Sequence, residues 1–191
     1  RRGVVRPASG AGGDGGSVRP GDKAARVSAK RWRRGDAFKE WPTGKVGVLE
    51  FMAARNVASA RTQKELVELR KELPDLAVVS LSFTVTPETV KRAGDLLPGW
   101  VEENPQITWT VGEDDVSRTQ TAWITATGNR VEPMVFVIDQ QGRLAWFGRS
   151  GEGLSAVVRR VHAGTWDTAV FQKGLDLRGS FQRLRGENKW E

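Results

Sequence analysis

The stretch that decides the fold runs Gly44-Lys45-Val46-Gly47-Val48-Leu49-Glu50-Phe51-Met52-Ala53 and continues Ala54-Arg55-Asn56-Val57-Ala58-Ser59-Ala60-Arg61. Its apolar run, opened by a Gly-Lys turn, predicts a buried parallel strand. From Ser59 to Glu72 leucines then recur at helical spacing among charged residues, and Pro74 ends the pattern. The stretch therefore predicts a buried strand followed at once by an amphipathic helix.

The rest of the chain repeats this alternation. Gln140-Gln141-Gly142 joins the last two predicted strands as a hairpin turn. Since a strand, a helix and a second strand favour a right-handed parallel crossover, the predicted fold class is α/β, with a mixed, mostly parallel sheet flanked by helices and with extended N- and C-terminal arms. The further predicted strands cover 76–83, 107–111, 134–139 and 143–147, and the further predicted helices cover 87–103, 114–124 and 154–162.

This order of elements resembles the thioredoxin-like fold, in particular its branch of peroxiredoxin-like and cytochrome-maturation thioredoxins. The first strand of that branch commonly reads Gly-Lys-Val-Val-Val-Leu-Glu-Phe-Trp-Ala, which is similar to residues 44–53. The family places a cis-proline before a strand that ends in Ile-Asp, as Pro133 precedes the strand that ends at Asp139. The ending at 163–167 is also similar. The resemblance covers residues 44–167 and implies a thioredoxin-like domain there.

The resemblance also implies a degenerate redox site at Asn56, Ser59 and Pro133. The family has Cys-x-x-Cys where this chain has Asn56 and Ser59, and no cysteine occurs in its 191 residues. Thiol-disulfide exchange needs an attacking thiolate and a second thiol, so we predict no enzymatic activity. Asn56 is a good helix cap, Ser59 is interpreted as a helix-start serine without an activating base, and Pro133 as a residue that sets loop geometry.

Composition argues against two further classes of function. With no Cys and a single His162, the chain lacks the usual ligands of a zinc site, and we predict neither a metal site nor a cofactor. No apolar run approaches the roughly 20 residues that span a bilayer, so no transmembrane segment is predicted.

Positive charge is concentrated at the N-terminus. Residues 1–45 hold twelve Lys and Arg against four Asp and Glu, in a chain whose net charge is +7. Residues 1–30 are rich in Gly, Arg, Ser and Pro, and their apolar surface is too small to offset the entropy of ordering. Alone, this arm is expected to be disordered and to reach an anionic partner. The predicted parts are a basic Gly/Arg-rich N-terminal arm at 1–43, the domain at 44–167 and an aromatic, basic C-terminal extension at 168–191.

Large aromatic side chains accompany the cations in both extensions. This mixture is typical of protein interfaces and RNA surfaces. In the arm, the candidate partner or RNA-binding residues are Arg1, Arg2, Arg6, Arg31, Trp32, Arg33, Arg34 and Trp41. In the extension, the candidate docking residues are Phe171, Phe181, Arg183, Arg185 and Trp190. A strap across the chain's own domain explains the extension equally well, and Trp109, Trp123 and Trp146 are assigned to core packing.

These observations predict a non-catalytic structural subunit of a large organellar assembly, bound to other protein subunits. A mitochondrial ribosome is the favoured host, because Arg- and Gly-rich arms neutralise rRNA phosphates and fold on binding. The basic, acid-poor opening of the chain suits a mitochondrial protein whose presequence has been removed. Two alternatives stay open: an accessory subunit of a respiratory or photosynthetic membrane complex, and a stand-alone binding protein without redox chemistry.

Overall fold

Six strands and five helices are found in the residues that the structure describes. It is a computed structural model that describes residues 18–83, 87–114, 119–124, 134–149 and 153–187, except for the side chains of 87, 89, 90 and 181–187. In chain order the elements are β1 (Arg31–Arg34), β2 (Gly47–Met52), α1 (Val57–Glu72), β3 (Ala77–Ser82), α2 (Pro87–Glu103), β4 (Thr110–Glu113), α3 (Thr119–Ile124), β5 (Met134–Ile138), β6 (Leu144–Arg149), α4 (Leu154–His162) and α5 (Thr168–Glu187).

All six strands form one mixed sheet in the order β1-β4-β3-β2-β5-β6. The pairs β2–β3 and β3–β4 are parallel, while β1–β4, β2–β5 and β5–β6 are antiparallel. The α/β class with a mixed sheet is confirmed, but the parallel share is smaller than expected. The crossovers through α1 and α2 give the two parallel pairs, whereas β1 joins one edge antiparallel and the β5–β6 hairpin runs against β2.

Different parts of the chain cover the two faces of the sheet. Successive side chains of a strand point to opposite faces, so Val48 and Met52 of β2 pack on one face and Leu49 and Phe51 on the other. Helices α1, α2 and α4 cover the first face. Helix α3 and residues 18–43 cover the second. The sheet is therefore buried on both sides, which accounts for the apolar side chains on both faces of β2, with Glu50 as the exception.

Residues 18–43, named the N-terminal segment below, are packed against the sheet. Val18 and Val27 are each 5% exposed, and the backbone of the segment donates hydrogen bonds to carbonyls of β4 and β6. The expectation of disorder therefore does not hold for residues 18–30, because the segment shares an apolar core with the rest of the chain. Residues 1–17 lie outside the described ranges.

Two elements, β1 and α5, were not expected from the sequence, and one strand is displaced. The strand predicted at 107–111 is found at Thr110–Glu113. Helix α5 begins after Asp167, whose Oδ1 accepts the N–H of Val170 at 2.9 Å, as a helix-capping residue does. None of the helices in the described ranges has the length and apolar character needed to cross a bilayer.

Candidate functional site

The turn that leads from β2 into α1 is stabilised by Asn56. This residue has extended backbone angles, with φ −84° and ψ 134°, and its Oδ1 accepts the N–H groups of Ala58 at 2.8 Å and Ser59 at 3.2 Å. The first turn of a helix has N–H groups without partners inside the helix, and Asn56 satisfies two of them. The prediction that Asn56 caps this helix is confirmed.

Ser59, three residues further on, also stabilises this turn through a hydrogen bond to the backbone. Its side-chain oxygen accepts the N–H of Ala53 at 3.0 Å, and the residue is 1% exposed. The hydroxyl therefore ties the end of β2 to the first turn of α1 and is shielded from any substrate. Arg55, which precedes the cap, has a positive φ of 66°, and its guanidinium forms an ion pair with Glu103 at 2.8 Å.

A buried acid, Glu50, lies in the middle of β2 on the face that α1 covers. It is fully buried, and its Oε2 accepts the hydroxyl of Ser80 at 2.7 Å. Ser80 in turn accepts the indole N–H of Trp109 at 2.8 Å. Burial raises the pKa of Glu50 from 4.5 to about 7, against the lowering effect of the hydrogen bond from Ser80.

Sequence reasoning missed Glu50 as a titratable group of this region. The available signal is a single carboxylate in a strand that is otherwise apolar, because such a group is costly to bury unless it is hydrogen-bonded or protonated. Near neutral pH Glu50 can hold or release a proton. It faces Ser80 and Trp109 rather than a thiol, since the chain contains no cysteine.

Comparison with known proteins supports the fold. No family model matches the chain. Protein FixW of Rhizobium leguminosarum is 25% identical over 160 residues, which are 82% of this chain and 72% of FixW. A thioredoxin-like protein solved in its oxidized form is 20% identical with a TM-score of 0.58, over 73% of this chain and 93% of that one. A thiol-disulfide isomerase from Corynebacterium glutamicum is 17% identical with a TM-score of 0.56, over 73% and 95%.

The chain has a thioredoxin-like fold. The chain contains no cysteine, so the thioredoxin-like domain is unable to perform dithiol chemistry with its own side chains. Pro133, the third residue of the predicted degenerate site, lies outside the described residues. Within the described residues, the predicted site consists of the turn formed by Asn56 and Ser59, and Glu50 is buried in the strand that precedes this turn.

Two of the three cations of β1, Arg33 and Arg34, make contacts within the thioredoxin-like domain. Arg33 forms an ion pair with Glu113 of β4. Arg34 donates to the backbone carbonyls at the end of α2 and just beyond it, those of Val101, Asn104 and Ile107. These bonds occupy Arg33 and Arg34, so the described contacts give no support to either residue as an RNA ligand.

Arg31, at the start of β1, is exposed and stays a candidate partner residue. The other arginines proposed for the arm, Arg1, Arg2 and Arg6, lie outside the described residues. Their predicted role in partner or RNA binding stays a prediction.

The two tryptophans of the N-terminal segment cover glycines of the sheet. A Cβ added at Gly47 would lie 2.5 Å from a ring carbon of Trp41, and one added at Gly112 would lie 2.8 Å from a ring carbon of Trp32. Trp41 also meets Trp123 edge-on at 6.2 Å between ring centroids. Both indoles therefore pack against the sheet and are half-buried there, where a partner surface was expected.

The first part of the C-terminal extension packs across the chain's own domain as a strap. Phe171 of α5 packs against Trp146, Phe147 and Trp166, at ring-centroid distances of 6.4, 5.6 and 5.9 Å. Of the two readings left open by the sequence, the contacts of Phe171 favour the strap. Phe181, Arg183 and Arg185 belong to α5 but their side chains are outside the description, as is Trp190 entirely, so their docking role stays a prediction.

Proposed function

We propose that this chain is a redox-inactive thioredoxin-like domain that serves as a non-catalytic subunit of a larger assembly. The observation that carries the proposal is the role of Asn56 and Ser59, the residues that stand where the family has its two cysteines. Asn56 bonds to two backbone N–H groups of α1, and Ser59 is buried with its hydroxyl on the backbone of Ala53. Both side chains contribute to folding, and neither presents a nucleophile to a substrate.

Loss of chemistry leaves binding and scaffolding as the roles of this fold, since a fold by itself does not determine a function. The thioredoxin-like domain is enlarged at both ends, by the N-terminal segment and by α5. The N-terminal segment completes the core, whereas α5 projects apolar side chains into solvent, with Val170 67% and Leu177 63% exposed. Such side chains favour contact with another protein.

An organellar ribosome is the most specific host that we propose, with a mitochondrial location. It depends on the cations of the N-terminal arm, and two of them, Arg33 and Arg34 of β1, make contacts within the domain. The accessory subunit of a membrane complex and the stand-alone binding protein are the alternatives, and ionic strength and nuclease separate them.

The test is size-exclusion chromatography of the native protein from gently lysed source cells, with and without nuclease, followed by immunoblot. We expect a particle far larger than the 21.0 kDa of the chain. Nuclease collapses the particle if the host is a ribosome and leaves it intact if the host is a protein complex. Elution near 21.0 kDa contradicts the subunit proposal.

A second assay tests the absence of redox function directly. The purified chain is added to insulin and dithiothreitol, and the rate of insulin reduction is followed by turbidity. We expect the rate measured without the chain. Acceleration by the chain contradicts the redox-inactive proposal, because it would require chemistry that does not involve a cysteine of this domain.

A further inference from the structure

Helix α5 carries two apolar faces, and the domain covers only one of them. Phe171 packs on aromatic residues of the domain, and Leu175 on the same side is half-buried. Val170 and Leu177 point elsewhere and are 67% and 63% exposed. With Val57, they are the large apolar side chains that the described residues expose most. The second face of α5 is therefore without a partner in this chain's described part.

Val170 and Leu177 belong to a regular series along α5. At about 100° per residue, positions 170, 174, 177, 181 and 184 fall within about 80° of one another, at alternating spacings of four and three. We name them the α5 seam, and they hold Val170, Gly174, Leu177, Phe181 and Leu184. A stripe this narrow, at this spacing, is typical of a helix that packs against another helix, whereas a helix on a core or a bilayer presents a wider apolar face.

The positions that flank the α5 seam are mainly basic. Lys173 lies on one side and Arg178 and Arg185 on the other, against one acid, Glu187, in the last turn. Lys173 and Arg178 are exposed, and among the described side chains neither has an ion-pair partner. Flanking charges of this kind choose the partner of a helix. Two copies of α5 would bring like charges together, whereas an acidic helix would bring opposite charges together.

We propose that the α5 seam binds an acidic amphipathic helix of another protein. The apolar side chains of the partner pack between those of Val170 and Leu177, and its flanking Asp and Glu side chains pair with Lys173 and Arg178. This inference rests on the proposed function, to which it adds the binding surface and the class of partner.

The test uses the full chain and a fluorescent three-heptad synthetic peptide with Leu at its a and d positions and Glu at its e and g positions. A matched peptide carries Lys in place of Glu. In fluorescence anisotropy at low salt we expect the Glu peptide to bind at least about tenfold more tightly, and added salt to weaken its binding. Equal affinity for the two peptides, or binding of neither, overturns the proposal.

Two variants locate the binding surface. Leu177→Asp is expected to weaken binding of the Glu peptide at least about tenfold, the usual effect of removing a central interface contact. Arg178→Glu is expected to weaken it too, while Arg61→Glu, the same charge change on the exposed side of α1, leaves it unchanged. Circular dichroism checks that each variant folds. An effect of Arg61→Glu as large as that of Arg178→Glu overturns the proposal.

Other occupants of the α5 seam give different results. Binding to vesicles that contain phosphatidylglycerol, lost in Leu177→Asp and without binding to the Glu peptide, would assign the surface to an anionic membrane. Concentration-dependent dimerisation lost in Leu177→Asp would assign it to a second copy. Both results overturn the acidic-helix proposal.

The elution size of the native protein distinguishes a failure of this inference from a failure of the proposed function. If the native protein elutes in a large particle and Leu177→Asp elutes with it, the subunit proposal stands and the α5 seam is not the attachment. If the native protein elutes alone, the subunit proposal fails, whatever the peptide measurement shows.

Discussion

Replacing Glu50 by Gln should make the protein more stable at alkaline pH and should remove a pH dependence that the native chain carries. The carboxyl group of Glu50 is fully buried, and burial raises its pKa from 4.5 to about 7. Each tenfold change in proton affinity corresponds to about 1.4 kcal/mol. The rise therefore costs the native fold about 3 kcal/mol when the carboxyl group is ionised both in the folded and in the unfolded state.

The sign follows from the two protonation equilibria. Below pH 4.5 Glu50 is protonated in both states, so its burial as an acid carries no ionisation cost. As the pH rises from 4.5 to about 7 the unfolded state loses its proton and the folded state keeps it, so the free energy of unfolding falls. Above about pH 7 the cost is complete and constant. The glutamine variant keeps an acceptor oxygen for Ser80 and lacks this titration.

The assay is urea unfolding followed by tryptophan fluorescence at pH 5, 6, 7 and 8. We expect the unfolding free energy of Glu50→Gln, minus that of the native chain, to increase by about 2 to 3 kcal/mol between pH 5 and pH 8. Glu72→Gln is the control, because its hydrogen bond from Arg159 holds the pKa of Glu72 below 4.5 and its difference should stay nearly flat over this range. A difference for Glu50→Gln that does not change with pH refutes the reasoning.

Three further predictions concern the capped turn, β1 and the N-terminal segment. Asn56→Cys places a thiol at the exposed start of α1, where the pKa of the thiol should fall below about 8.5 and its reaction with Ellman's reagent should be fast. Ser59→Cys places a thiol at a site that is 1% exposed, and this thiol should react only when the protein unfolds. Equal reaction rates for the two thiols would contradict the geometry of the turn. Arg34→Ala removes the donor of three carbonyl hydrogen bonds and should lower the unfolding free energy by about 2 to 3 kcal/mol in urea unfolding; a loss below about 0.5 kcal/mol would show that water replaces the guanidinium. Gly47→Val puts a Cβ where Trp41 packs and should cost about 1 to 3 kcal/mol and speed proteolysis of the N-terminal segment; undiminished protease resistance would argue against this packing.

The central part of the fold was predictable because its signals are local. Alternation of apolar strands with amphipathic helices is read from neighbouring residues, and it places β2, α1, β3 and the β5–β6 hairpin correctly. The cap at Asn56 was predictable for the same reason. The absence of thiols from this turn was predictable from the residue types alone.

The N-terminal segment was not predictable in this way, because its order depends on surfaces built by distant residues. Its apolar side chains are few, and they are buried only because the sheet offers a face with room for them. A signal was present at Gly47, where the family pattern has Val. A missing side chain in a buried strand indicates that something large packs there, and Trp41 is only six residues earlier.

The sequence predicted where the candidate site lies, but only some of the residues that matter in it. Asn56 and Ser59 have the structural roles expected of them. Glu50 was recognised only as part of the first strand. Its raised pKa could not be predicted, because it depends on how completely α1 and Trp109 bury the carboxyl group in the folded structure. The helical continuation at α5 was missed because its three glycines lower helix propensity, although Asp167 supplies a cap.

The packing of the N-terminal segment sets an order of events during protein synthesis. Its hydrogen bonds span large separations in the sequence, 91 residues from Ser28 to Thr119 and 122 residues from Gly21 to Arg143. Ribosomes add about 5–20 residues per second, so the segment waits roughly 5–20 seconds before its partners in α3 and β6 have been made. During that interval Trp32 and Trp41, which are half-buried against the sheet in the folded protein, lack part of the packing that covers them.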